Sequence, residues 1–182
     1  MKLIFLDGPP AVRKYTIAKE LEARIGCGVF HNHLTIDVAR PIFEFGSHNF
    51  WKLVYDLRLT CFKAAAKQEI GSLVYTSCYD HPNDLSFFEE IEETMHSSGS
   101  ELIPVYLKCE VSELEKRVLG DLRIKMRKIS TVEGLCKRLE KWNCVAVPRN
   151  NCVTVITDGR THKECAEEII DVLNLGIAPQ LP

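Results

Sequence analysis

The sequence predicts a single α/β domain in which a parallel sheet carries helices on both faces. Three observations predict it. Short apolar runs alternate with longer segments of helical spacing. Several of these runs are apolar on successive residues, as strands buried on both faces require. The first run leads directly into a Gly-Pro-Pro turn and a Lys-bearing helix, "LIFLDGPPAVRKYTIAKEL". Alternating strands and helices need crossover connections, and those place the strands parallel.

The elements follow in order. Residues 2–7, "KLIFLD", form the first strand, and a helix over 14–25 follows the turn. A second strand is predicted over 27–31, with a helix over 34–43. In the segment 49–68 the residues Trp51, Val54, Tyr55, Leu59, Phe62, Ala65 and Ala66 recur at spacings that make one apolar helical stripe. The third strand is expected at 72–77. A helix over 84–97 starts behind Pro82, with Asn83 or Asp84 as its N-cap. A fourth strand (102–108), a short helix (112–119), a basic stretch and a helix over 131–142 come next. The chain closes with a fifth strand (152–156) and a helix over 162–173, for which Thr161 is a candidate N-cap. One domain over 1–175 is expected, and the Pro-containing tail 176–182 should lie loose on the surface.

Composition narrows the function classes. The 182 residues are 46% hydrophobic and 26% charged, with a formal net charge of -2. Such a balance excludes a chain that is basic throughout, but not a local anion site. The first apolar run is too short for a signal peptide. No run approaches the roughly 18 residues of a membrane span. A cytoplasmic protein without a membrane partner is expected. The eight Cys are scattered and form no C-x-x-C pair, against a zinc ribbon or a thioredoxin-like site. Reduced, structural thiols are the reading.

The stretch "GPPAVRKYT" follows an apolar strand and opens a helix, the setting in which successive backbone N–H groups and a helix N-terminus cradle an anion. Against G-x-x-x-x-G-K-[ST], Gly8 and Lys14 match at the right spacing. Arg13 stands where the second Gly belongs, Tyr15 replaces the hydroxyl, and Thr16 comes one place later as the candidate Mg²⁺ ligand. A Gly at position 13 would serve a left-handed backbone, which costs another residue about 1 kcal/mol or somewhat more. The alternative is a Gly-Pro turn before an amphipathic helix that happens to hold a Lys.

The exit of the second strand, "FHNHLTIDVAR", gathers His31, Asn32, His33, Thr35 and Asp37. Doubly wound folds place ligands at the carboxyl ends of their strands. Asp37 is a candidate to take a proton from an acceptor or to hold Mg²⁺ through water. Its alternative role is that of an acidic residue in a first helical turn. The two His lack a third ligand, so hydrogen-bonded structural imidazoles are expected rather than zinc.

With those stretches, and with "FEFGSHNFWKLVYDLRLTCFKAAA" and "RKISTVEGL", the chain resembles a group of small P-loop kinase-like proteins, shikimate-kinase-like or AAA-type ATPases. Their usual motifs are G-P-P-A-V-G-K-x-T and F-H-N-H-L-T-x-D. The resemblance spans nearly the whole chain. It implies a three-layer P-loop NTPase fold of the nucleotide-kinase type, with five parallel strands in the order 2-3-1-4-5. It implies ATP with Mg²⁺ on Gly8, Pro9, Pro10, Ala11, Val12, Arg13, Lys14, Tyr15 and Thr16. It places a small-molecule or nucleotide acceptor near His31, His33, Thr35, Asp37 and Arg58. Arg58 could equally be a residue whose stem covers the helix surface. The chain departs from the group at Arg13 and at Arg127, where Arg replaces Gly twice.

The basic stretch "EKRVLGDLRIKMRKIS" matches the place where nucleotide kinases carry a lid, here residues 117–130, whose Arg residues stabilise the transferring phosphoryl group. Arg117 and Arg123 are the candidates, with Arg127 next; a solvated basic face is the alternative. Nucleic acid is disfavoured, because Glu113, Glu115, Glu133 and Glu140 adjoin the stretch and no aromatic ladder interrupts it. Asp80 is a turn residue or a distant Mg²⁺ partner, and Asp158-Gly159 a turn or an adenine contact. The expected function is an ATP-dependent phosphotransferase with Lys14, Asp37, Arg117 and Arg123 as catalytic residues. The alternatives are a non-catalytic nucleotide-binding protein and a nucleic-acid-end kinase.

Overall fold

The structure, a computed structural model, describes residues 1–177 apart from Glu69 and Arg127. The expectation for Arg127, and most of the tail, fall outside the described residues. In chain order the elements are β1 (Lys2–Asp7), α1 (Lys14–Ile25), β2 (Gly28–His31), α2 (His33–Ala39), α3 (His48–Lys67), β3 (Ser72–Thr76), α4 (Leu85–Ser97), β4 (Glu101–Lys108), α5 (Val111–Val118), α6 (Asp121–Lys125), α7 (Val132–Lys141), β5 (Val153–Ile156) and α8 (His162–Val172). The five strands are parallel in the order β2-β3-β1-β4-β5. Helices on both faces of a parallel sheet are what the sequence pattern predicts, and the strand order is the one the resemblance implies.

The alternation of side chains along β1 builds the layers. Successive residues of a strand point to opposite faces. Ile4 and Leu6 therefore join one core, with Ile17 and Leu21 of α1, Leu114 of α5, Leu135 of α7 and Ile169 of α8. Leu3 and Phe5 join the other, with Phe62 of α3 and Phe88 and Ile91 of α4. β1 pairs with β3 on one side and β4 on the other, so both of its faces and both of its edges are covered. A third, smaller cluster joins Ile36 and Ala39 of α2 to Phe50 and Val54 of α3.

Element ends follow local chemistry. α1 ends at Gly26, whose left-handed φ of 67° lets its N–H bond the Glu22 carbonyl. Ser47 caps α3 by accepting from the Phe50 N–H. Thr161 caps α8 as expected, in a reciprocal pair with Glu164. Two details differ from expectation. α2 stops at Ala39 rather than 43, because Pro41 has no N–H with which to continue the ladder. The basic stretch after α5 contains the short helix α6.

The helical stripe of α3 is the testable part of this packing. Phe62 is fully buried and meets Phe30 and Tyr75 edge-on at ring separations of 5.7 and 5.1 Å. Phe62→Ala should lower folding stability by about 3–5 kcal/mol in chemical denaturation. A loss under about 1 kcal/mol would show that α3 does not anchor the sheet.

Candidate functional site

The loop Gly8–Arg13 leaves β1 under tight steric control. Gly8 has φ 145°, and a side chain there would put its Cβ 2.6 Å from the Leu107 carbonyl oxygen of β4. Only Gly fits so close a crossing. Arg13 takes up the left-handed conformation expected of the missing Gly, with φ 76°. Ala11 does the same at φ 69°, a second strained position that no residue-type signal revealed. The Arg13 guanidinium donates to the Arg160 carbonyl at 3.0 Å, in the turn before α8. The first-turn N–H groups of α1 have no partners within the helix.

Lys14 is folded back over the loop. Its ammonium donates to the Gly8 carbonyl, to the Pro9 carbonyl at 2.8 Å and to the Cys78 sulfur at 3.1 Å. Beneath it lies Asp7, buried at the end of β1. One Asp7 oxygen accepts from the Tyr79 N–H at 2.7 Å, and the other has no partner among the described residues. Burial pushes this carboxyl up to about 7, against the opposing pull of Lys14 and two backbone N–H groups.

A cavity of about 290 Å³ opens above the loop. Its walls carry Arg13, Lys14, Arg40, Arg123, Lys128 and Arg138, and no Asp or Glu among the described residues. These cations come from four places: the loop, the end of α2, the α6 region and α7. Lys128 lies 5.0 Å above the Tyr15 ring, and Tyr15 packs edge-on against His31 at 5.3 Å. Burial, then Lys14 and Arg123, push the Lys128 ammonium down to about 8. Arg123 is fixed by a 2.6 Å bond from Nε to the Ile129 carbonyl. Burial, with Lys128 adding to it, pushes His33 down to about 4, and burial lowers His31 as well, so both rings are neutral at pH 7. No group of three metal-ligating side chains occurs among the described residues. Thr16 lines this cavity from the first turn of α1.

A second cavity of about 230 Å³ lies between α3 and α4. It shares Asn32, Ile36, Trp51, Cys78 and Trp142 with the first. Its walls are aromatic, with Tyr55 and Phe87 stacked at 4.4 Å. Its charged groups are Arg58, Asp80 and Asp84. Asp84 accepts from the Tyr55 hydroxyl at 3.1 Å and the Asp80 N–H at 2.9 Å, and burial raises its carboxyl. Asp80 accepts from the Asn143 N–H and the Asn83 amide, each at 2.8 Å.

The candidates from sequence divide accordingly. Pro10 to Thr16 and His33 line the first cavity. Arg58 is buried; it donates to Thr35 Oγ1 at 3.1 Å and lies over Tyr55, Tyr75 and Phe87. It lines the second cavity, while Thr35 serves to hold it. Asp37 is exposed on α2 and lines neither cavity. Arg117 is also not brought to the site. Its side chain is 6% exposed and bonds Glu113, Thr157 Oγ1 and the Thr157 carbonyl, which ties α5 to the end of β5. All eight cysteines are free thiols. The charged cavity residues that sequence reasoning did not choose as site residues include Arg40, Lys128 and Arg138 in the first cavity and Asp84 in the second. Arg138 stacks on Trp142 at 4.0 Å, and their four-residue spacing was the available signal. Arg40, last before Pro41, carried none.

Two pH effects follow. The Asp7 carboxyl keeps its proton to about pH 7 when folded, but only to its ordinary 3.8 when unfolded. Between those values the unfolded chain binds fewer protons, so stability falls as pH rises through the window and then levels off. Between pH 5 and 8 the natural protein should lose about 2 kcal/mol relative to Asp7→Asn. Parallel stability curves for the two proteins would rule this out. Lys128, whose folded value of about 8 lies below its ordinary one, should regain its proton when an anion binds beside it. The affinity ratio of natural protein to Lys128→Gln for pyrophosphate should fall as pH rises from 7 to 9.5, measured calorimetrically. A constant ratio would remove Lys128 from the anion site.

Comparison with known proteins bears on the fold. No family model matches the sequence, and no curated protein matches it. Solved structures do. The tunicamycin resistance protein of Deinococcus radiodurans superposes with a TM-score of 0.64 at 19% identity, covering 98% of this chain and 99% of that one. An APS kinase of Mycobacterium tuberculosis, in complex with AMPPNP and APS, gives 0.60 at 16% identity, covering 95% and 97%. A shikimate kinase of Acinetobacter baumannii, in complex with shikimate, gives 0.60 at 17% identity, covering 94% and 92%. This chain therefore shares, over nearly its full length, the fold of the P-loop kinases.

Proposed function

We propose that the protein is an ATP-dependent phosphotransferase acting on a small acceptor, with residues 1–175 as one kinase-like domain. One observation carries the reading. The phosphate loop with Lys14 opens into a cavity that bears six cations and, among its described walls, no carboxylate. Such a cavity is matched to a polyphosphate. The kinase neighbours, one of them solved with AMPPNP, support it.

In this reading the loop N–H groups and the α1 N-terminus hold the phosphates. Lys14 exchanges the Gly8 and Pro9 carbonyls for phosphate oxygens, since an ammonium bonded to neutral carbonyls gains by meeting an anion. Thr16, in the first turn of α1, offers a hydroxyl to Mg²⁺, which would neutralise phosphate charge when bound. Arg123 and Lys128 stabilise the charge of the transferring group. They belong to the segment 117–130 proposed as a lid, whose first residue, Arg117, is anchored to β5 instead. Asp84, facing the second cavity with a raised carboxyl, takes the acid–base role first given to Asp37.

A non-catalytic nucleotide-binding protein is the second reading. The absence of a carboxylate from the described walls above the loop favours it. Acceptor-dependent release of ADP separates the two. Lys14→Ala should lower that rate by about a hundredfold or more. Turnover unchanged in Lys14→Ala would end the phosphotransferase reading. ATP binding without turnover under any acceptor would favour the second.

A further inference from the structure

The two cavities differ in charge, and the difference constrains the acceptor. Resting on the phosphotransferase reading, we infer that the acceptor is an anion joined to a flat ring that bears N–H or O–H donors. Its anion lies in the cationic cavity, and its ring enters the aromatic cavity between α3 and α4.

The cationic cavity holds more positive charge than the loop end needs. Lys14, Arg123 and Lys128 gather around the phosphate loop and the α6 region. Arg40 at the end of α2 and Arg138 on α7 are supplied by other elements. Arg40 Nε is buried with no partner among the described residues. A buried donor left so is unfavourable, and an acceptor oxygen of a bound anion relieves that cost. The Arg138 guanidinium lies over the Trp142 ring at 4.0 Å, a contact that orders its fork in advance. Trp142 and Trp51 wall both cavities and so join the anion site to the ring site.

The aromatic cavity sets the other half of the molecule. Trp51, Tyr55, Phe87 and Trp142 wall this cavity, and Tyr55 is stacked on both Trp51 and Phe87 in an aromatic column against which a flat ring packs. Asp80 and Asp84 would repel an anion there. Each carboxylate accepts two internal hydrogen bonds and keeps lone pairs for a further donor. The arrangement therefore fixes an orientation as well as a composition: negative end toward Arg40 and Arg138, donor-bearing ring toward Asp80 and Asp84.

The test is calorimetric binding to the natural full-length chain, without turnover. The probes are AMP, UMP and 3-hydroxybenzoate as ring-bearing anions, adenosine and uridine as uncharged rings, and ribose 5-phosphate and inorganic phosphate as ringless anions. At least one ring-bearing anion should bind about tenfold or more tightly than its uncharged or ringless counterpart, with and without saturating AMPPNP. Which anion binds separates phosphate from carboxylate. Arg40→Gln and Arg138→Gln should each weaken that probe about tenfold or more and leave the uncharged ring unchanged. Equal binding of nucleoside and nucleotide, equal binding of ribose 5-phosphate, competition with AMPPNP, or no binding by any ring-bearing anion would overturn the inference. If AMPPNP fails to bind while a ring-bearing anion does, the phosphotransferase reading falls and the ring-bearing anion stands.

Discussion

The crossing of the phosphate loop over β4 is the constraint on which the rest of the site depends. At Gly8 the backbone passes so close to the Leu107 carbonyl that no side chain fits between them. This crossing is possible because β1 is the central strand, hydrogen-bonded to β3 and β4 on its two edges. Once the chain has turned there, α1 must begin within a few residues. Ala11 and Arg13 absorb the remaining curvature in left-handed conformations. The strain they carry is of the kind that packed surroundings sustain. The Arg13–Arg160 hydrogen bond and the burial of Val12 supply such surroundings.

Charge is concentrated where water is scarce. Asp7 lies under the loop and Lys128 above it, and burial disfavours the ionised form of each. Lys14 stands between them and is satisfied by loop carbonyls in the structure described. The cations of the first cavity repel one another, and that repulsion contributes to the depressed value of Lys128. A bound polyanion relieves it. The same electrostatic arrangement thus destabilises the protein alone and favours an anionic ligand.

Two arginines expected at the site from sequence are bonded into the packing of the protein. Arg117 closes the gap between α5 and the end of β5, where the Thr157 carbonyl and hydroxyl need partners. Arg58 sits in a cage of three rings and holds α2 against α3 through Thr35 and Asn32. Both use the planar fork of guanidinium to satisfy several acceptors at once. Arg40 and Arg138, which line the first cavity, come from elements that are distant in the chain.

The sequence by itself determined the layered α/β architecture and the location of the phosphate loop. Both depend on local signals. Apolar runs mark the strands, three-and-four spacing marks α3, and Gly8 with Lys14 marks the loop. Even the left-handed backbone at Arg13 was legible, because Gly is the residue that conformation prefers. The resemblance added the strand order, which no local pattern contains. Tertiary structure alone decided which polar side chains face the cavities. Asp37 and Arg40 lie three residues apart on one helical segment, yet Arg40 lines the cavity and Asp37 faces solvent. Asp84, chosen from sequence as a helix cap, instead accepts from Tyr55 and the Asp80 N–H and lines the second cavity. The physical reason is that the cavities form where α2, α3, α4 and α7 meet the loops that leave β1 and β3, and the direction of each side chain depends on how those helices pack.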